Sequence, residues 1–179
     1  IIKMLDLRND RLVVEAKGIY SIENFLMARR LMYWQVYLHK TAVAAEKMMI
    51  STFRRAKYLV QKGAKLFASP SLLYFLGKNV DATFFKENKQ EVLQHFVNLD
   101  DNDIWCALKV WIDHDDVVLS KLSSCLINRK LFKIEISNTP LPTEKMDEYI
   151  KNYMQEFSIS EEEASYFCSS DIVYTNMYS

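Results

Sequence analysis

A chain of 179 residues, half of them hydrophobic, is long enough to bury a sizeable core. Its 23 Lys and Arg balance 23 Asp and Glu, so no global field draws it to nucleic acid or to an anionic membrane. No uninterrupted apolar stretch approaches the ~20 residues that span a bilayer, and Cys106, Cys125 and Cys168 lack metal-ligand spacing, so they read as free thiols of a reduced, cytoplasmic setting.

In chain order, residues 1–7 end a helix or form a short strand, 8–11 turn, and 12–15 read as a strand. Ser21 caps a long helix that keeps apolar spacing to Gln61, with Gly63 as its stop. Ser69 and Pro70 give the cap and first-turn proline of a helix over 71–76, ended by Gly77. Residues 85–97, 102–112 and 116–128 predict three more helices, the middle one capped by Asp100 or Asp101. Trp105, Leu108, Trp111 and Ile112 read as core. At 131–136 the period changes to alternation, which predicts a strand. Pro140 and Pro142 form a loop, Thr143 caps a helix over 144–157, and 166–168 and 172–174 look extended. The fold class expected is mainly α, a helical-bundle portion over 1–130, followed by a small and incomplete α+β appendage over 131–179.

Within the long helix, Arg29, Tyr33 and Tyr37 recur every four residues and Lys40 follows after three, so all four share one stripe. A planar fork of donors beside two phenols suits a phosphate attached to a sugar. The same residue types also snorkel around the edge of a core without binding anything. Leu31, Trp34, Leu38 and Ala45, on the other side, are expected to face a core. His114 and Asp115 form a literal His-Asp doublet, but the run from Asp113 to Asp116 reads as a polar break between helices with Asp115 as N-cap, so no metal site is assigned to this chain. His95 is expected at a helix edge.

The segment from Arg29 to Lys40, with its Tyr37-x-His39-Lys40 ending, resembles the helix after the metal site in HD-domain deoxynucleoside triphosphate triphosphohydrolases, the family of the human sterile-alpha-motif and HD-domain dNTPase. A bacterial subgroup of HD-superfamily phosphohydrolases is similar through 17–25 (KGIYSIENF), 99–104 (LDDNDI) and 122–133 (LSSCLINRKLFK), in the same order along the chain.

That resemblance implies an enzyme hydrolysing a dNTP to deoxynucleoside and triphosphate. The family's metal site, a His, a His-Asp doublet and a later Asp, lies upstream of the matched region. The chain is therefore expected to be the C-terminal part of a larger protein, inactive alone, with a divalent Mg, Mn, Fe or Zn held by the upstream half. Carried over, Arg29 contacts the triphosphate and Tyr37 packs under the deoxyribose, where a 2′-hydroxyl is disfavoured. Tyr33 stands where the human enzyme has a His near the phosphates. His39 and Lys40 match residues that touch regulatory nucleotides at a subunit interface, or else form a solvated helix edge. The partners implied are a dNTP or related nucleotide and further copies in a homodimer or homotetramer. Two alternatives stay open: an HD phosphohydrolase of another nucleotide, and a noncatalytic helical interaction module.

Overall fold

The computed structural model describes residues 2–135, 137 and 142–171. The chain divides into two compact units, one reaching to Val43 and the other running over Ala44–Asp171.

The first unit opens with an antiparallel hairpin, β1 (Leu5–Arg8) paired with β2 (Arg11–Val14) in the register Leu5 to Val14 and Arg8 to Arg11. Asn9 and Asp10 form its two-residue turn with φ of 51° and 56°; Asn and Asp tolerate the left-handed region that such a turn needs. Gly18 follows, where a Cβ would lie 2.8 Å from Met4 Sδ and 3.1 Å from Val14 Cγ1. The hairpin and the next helix can therefore meet only at a glycine.

Helix α1 (Ile19–Met32) begins directly after Gly18, so Ser21 lies inside the helix and is not its cap. It continues into a π-helical turn, Tyr33–Tyr37, closed by the Leu38 N–H donating to Tyr33 O at 2.9 Å. The single long helix expected over this region is thus broken. Tyr33, Trp34, Val36 and Tyr37 crowd one turn with weak helix formers, and His39 restarts the helix: its Nδ1 accepts from Thr41 N–H at 3.2 Å. The expected core face is also corrected. No residue of α1 is buried, Leu31 and Trp34 are 49% and 57% exposed, and Leu38 and Ala45 are only half-buried. The apolar residues of α1 are spread around its circumference and do not form one stripe, and a short hairpin offers too little surface to cover them.

Helix α2 (Lys40–Gln61), most of which belongs to the second unit, buries Ala44, Met48, Ser51, Thr52, Arg55 and Ala56, a single stripe at helical spacing. Gly63, at φ 91°, ends it as expected. Helix α3 (Pro70–Gly77) has Ser69 as N-cap, its side chain accepting from Leu72 N–H at 3.3 Å. The single helix predicted over 85–97 is two, α4 (Ala82–Glu87) and α5 (Lys89–Val97). Asn88 divides them by turning its side-chain amide back onto Phe84 O at 3.1 Å.

Helix α6 (Asp101–Trp111) starts from a capping box of Asp100 and Asp103, and α7 (Val117–Ile127) is capped by Asp116, one residue beyond the Asp115 expected. Helix α8 (Thr143–Phe157) starts at Thr143, with Pro142 in the cap position, and ends on Ser158 in the left-handed conformation. Helix α9 (Glu161–Ala164) runs into a 3-10 turn, Ser165–Phe167, so of the expected extended run 166–168 only Cys168 is extended. The strand expected at 131–136 does not form over 131–135; position 136, Pro140 and the run 172–174 lie outside the described residues. Leu131 and Phe132 pack against the core instead, with Phe132 N–H directed at Met48 Sδ at 3.3 Å. The fold is mainly α with a small β component, and among the described residues that component is the hairpin near the start of the chain.

Met48, Leu72, Leu76, Leu108, Trp111 and Leu119 form the main core, and Trp111 Nε1 donates to Phe67 O at 2.9 Å. Trp105 falls outside the inward stripe of α6 and is 44% exposed, contrary to the sequence expectation. A second cluster joins Val118 and Leu122 to Phe167, whose ring centroid lies 5.2 Å from those of Tyr153 and Phe157. Among the described residues no helix is long and apolar enough to cross a membrane.

Candidate functional site

The three residues singled out for substrate lie along one run of side chains where α1 passes into the π-turn. The Arg29 guanidinium carbon sits 5.6 Å from the Tyr33 ring centroid, within cation–π range. The Tyr33 and Tyr37 rings follow at 5.2 Å between centroids, tilted by 52°. Tyr33 is half-buried while Arg29 and Tyr37 are exposed. Among the described residues, none of these three side chains makes a hydrogen bond or ion pair. Arg29 is therefore braced by a ring while its fork of N–H donors stays unspent, an arrangement able to take a phosphate oxygen or a carboxylate. The π-turn that carries this tilted pair is not something the residue spacing alone gives a sign of.

His39 and Lys40 stand just beyond, both exposed. The His39 Nδ1 is committed to Thr41 N–H as a cap of α2, which leaves only its Nε2 for any ligand. Lys40 occupies the first position of α2 and, among the described residues, has no ion pair.

The His114-Asp115 doublet resolves into a turn. His114 Nδ1 accepts from Asp116 N–H at 2.9 Å, in keeping with the polar break read from the sequence. His95 stacks on Tyr74 at 4.0 Å between centroids, with Ser71 Oγ 3.4 Å from its Nδ1. Among the described residues no group of three or more His, Cys, Asp or Glu side chains could hold a metal ion.

Sequence reasoning missed one charged cluster entirely. Arg55, 6% exposed, donates from Nε and Nη2 to both oxygens of Asp116, the shortest contact being 2.6 Å, and from Nη2 to Glu163 Oε1 at 2.7 Å. The rings of Tyr58 and Tyr166 flank its guanidinium at 5.3 and 5.5 Å. Burial disfavours the ion, but the bonds to Asp116 and Glu163 outweigh it and raise the Arg55 pKa. Asp116 is likewise opposed by burial, yet the Arg55 bond and the Leu119 N–H hold it below the ordinary carboxylate value. Glu163 is held low first by the Ser160 N–H and then by Arg55. The one available signal was an Arg at a core position of α2, seven residues after Met48. Asp116 is the N-cap of α7 and Glu163 belongs to the capping box of α9, so the cluster pins the starts of two helices to the interior of α2.

Comparison with known proteins gives three findings. Residues 1–67 match the family described as the HD associated region. The protein YwfO of Bacillus subtilis (strain 168) is 31% identical over 153 residues, 84% of this chain and 32% of its own length. A crystal structure of a phosphohydrolase from Bacteroides thetaiotaomicron is 54% identical, with a TM-score of 0.93 over 99% of this chain and 44% of that one. The chain thus spans about a third and under half of these two relatives. The HD-associated match over residues 1–67 and the phosphohydrolase likeness over nearly the whole chain together relate it to the HD superfamily of phosphohydrolases.

Proposed function

We propose that this chain supplies one wall of the nucleotide pocket in a metal-dependent HD phosphohydrolase that converts a dNTP to deoxynucleoside and triphosphate. The observation that carries the reading is the unspent guanidinium of Arg29 in line with the Tyr33 and Tyr37 rings. Arg29 holds a phosphate oxygen of the triphosphate and offsets the charge that builds on the leaving group. Tyr37 offers a ring face to the deoxyribose, where an added 2′-hydroxyl would lose its solvent without gaining a partner. Tyr33 braces Arg29 from beneath and fixes the direction of its fork. A divalent metal, when bound, would activate water; its ligands would come from outside this segment, and alone the segment would not turn over substrate. His39 and Lys40 are the candidates for a second, regulatory nucleotide or for a subunit contact. A cytoplasmic homodimer or homotetramer fits the exposed apolar residues of α1.

The test is manganese-dependent release of triphosphate from each dNTP by a protein that includes the metal-binding region, beside its Arg29→Ala variant. Loss of one charge-stabilising donor is expected to lower turnover by about 10²–10³-fold with the thermal melt unchanged. A variant that retains full turnover removes Arg29 from the pocket. Absence of triphosphate release from every dNTP moves the assignment to another nucleotide. The second reading, an interaction module, is favoured by the exposure of Phe25, Leu31 and Trp34; under it, changing Arg29 and Tyr37 alters association and no turnover exists to lose.

A further inference from the structure

A cleft of about 400 Å³ opens between α2 and the segment that follows α9, lined by residues of the second unit. Lys47, Ser51 and Arg54 line one side at a spacing of four and three residues, so they share a helical face; Tyr166, Ser169 and Ser170 line the other. Ser51 is 93% buried by its 7% exposure, yet its hydroxyl makes no hydrogen bond among the described residues. The same holds for the hydroxyls of Ser169 and Ser170, and Arg54 has no ion pair among the described residues. Lys47 is bound to Asp171, and Glu162 adds a second carboxylate to the lining. The walls are not loose: Arg55, the neighbour of Arg54, ties α2 to Glu163 and to the Tyr166 ring. Burial raises the Cys168 thiol, which also lines the cleft, so a thiolate is not what the cleft presents.

A free guanidinium beside unpartnered hydroxyls suits a phosphate, while the two carboxylates would repel a bare dianion and accept from hydroxyl groups. We propose that this cleft is a binding site for a small phosphorylated sugar, its phosphate on Arg54 and the hydroxyls of Ser51 and Ser169, and its own hydroxyls toward Glu162 and Asp171. The volume is that of a small-ligand pocket. The lining does not include Arg29, Tyr33 or Tyr37, so the site does not depend on the reading given above for the α1 stripe.

The experiment is isothermal titration of the whole chain with ribose 5-phosphate, beside inorganic phosphate and ribose as separate probes. Saturable binding of the sugar phosphate is expected, weakened at least about tenfold by Arg54→Gln and to a smaller degree by Ser51→Ala, and unchanged by Arg29→Ala. Circular dichroism melts keep each variant interpretable, since Arg54 is exposed and its replacement leaves the Arg55 pin intact. No saturation at millimolar concentration, or equal binding by Arg54→Gln, overturns the site. Inorganic phosphate binding as tightly as the sugar phosphate overturns the role given to Glu162 and Asp171. Binding abolished by Arg29→Ala moves the ligand to the α1 stripe and overturns the cleft.

Discussion

Arg55→Ala is the substitution to which the second unit should be most sensitive among its surface-polar residue types. The Arg55 side chain is 7% exposed and its partner Asp116 13%, whereas Glu163 is 32% exposed. Removing the guanidinium leaves the Asp116 carboxylate in a dry setting with the Leu119 N–H as its remaining side-chain partner, 2.8 Å away. An uncompensated buried charge costs about 3–5 kcal/mol. Glu163 keeps its bonds from Ser160 and reaches water, so its share should be no more than ~1 kcal/mol. The expected loss is therefore ~3–5 kcal/mol, nearly all of it through Asp116. Urea unfolding of the chain, read by two probes to establish a single transition for the Ala44–Asp171 unit, measures it. Pairing Arg55→Met with Asp116→Asn should restore most of the loss, because neither charge is then stranded. A loss under ~1 kcal/mol for Arg55→Ala, or equal coupling of Arg55 to Glu163 and to Asp116, would refute the buried-pin account.

Further outcomes follow from the same contacts. Asp116 and Glu163 both have folded-state pKa values below their ordinary 3.8 and 4.5, so the stability they confer is present above those values and is lost as the pH falls through the lowered ones; the acid limb of a pH–stability profile should flatten in Asp116→Asn. Trp111→Ala should cost about 3–5 kcal/mol in urea unfolding, from the cavity and the abandoned Phe67 carbonyl. Gly18→Val should shift the thermal melt of the first unit downward by an amount equivalent to ~1–3 kcal/mol, because Met4 and Val14 already occupy the space of the added side chain.

What could be read from the sequence was whatever a few neighbouring residues decide among themselves. Ser69 before Pro70, Asp100 three residues before Asp103, and Gly63 after α2 each satisfy or end a helix locally, and each stands where it was expected. The misreadings share a different cause. Asn88 and His39 break helices by side-chain bonds that compete with a periodic pattern still favouring continuation. The alternation at 131–135 is genuine, but a strand needs a neighbour to pair with, and the Phe132 N–H meets instead the Met48 sulfur of α2, 84 positions earlier. The Arg55 pin was hidden for the same reason: its partners lie 61 and 108 residues away, and at the level of sequence they look like ordinary caps.

The run of Arg29, Tyr33 and Tyr37 side chains was legible in the sequence because its contacts are local. Arg29, Tyr33 and Tyr37 are carried by a helix and a π-turn with no buried residue, so packing among the described residues holds these elements only weakly. A binding constellation gains affinity when its side chains are fixed before the ligand arrives, and loses it when the ligand must order them. The Arg29–Tyr33 and Tyr33–Tyr37 contacts give some of that order, but aromatic and cation–π pairs at exposed positions contribute only about 0.5–1 kcal/mol each. If the proposed function holds, a contact that covered Phe25, Leu31 and Trp34 would supply the rest, and nucleotide affinity should then rise with the burial of this apolar surface. Under the proposed function, the Arg29 stripe and the apolar residues around it would form one device, with a covering contact setting the order of the stripe.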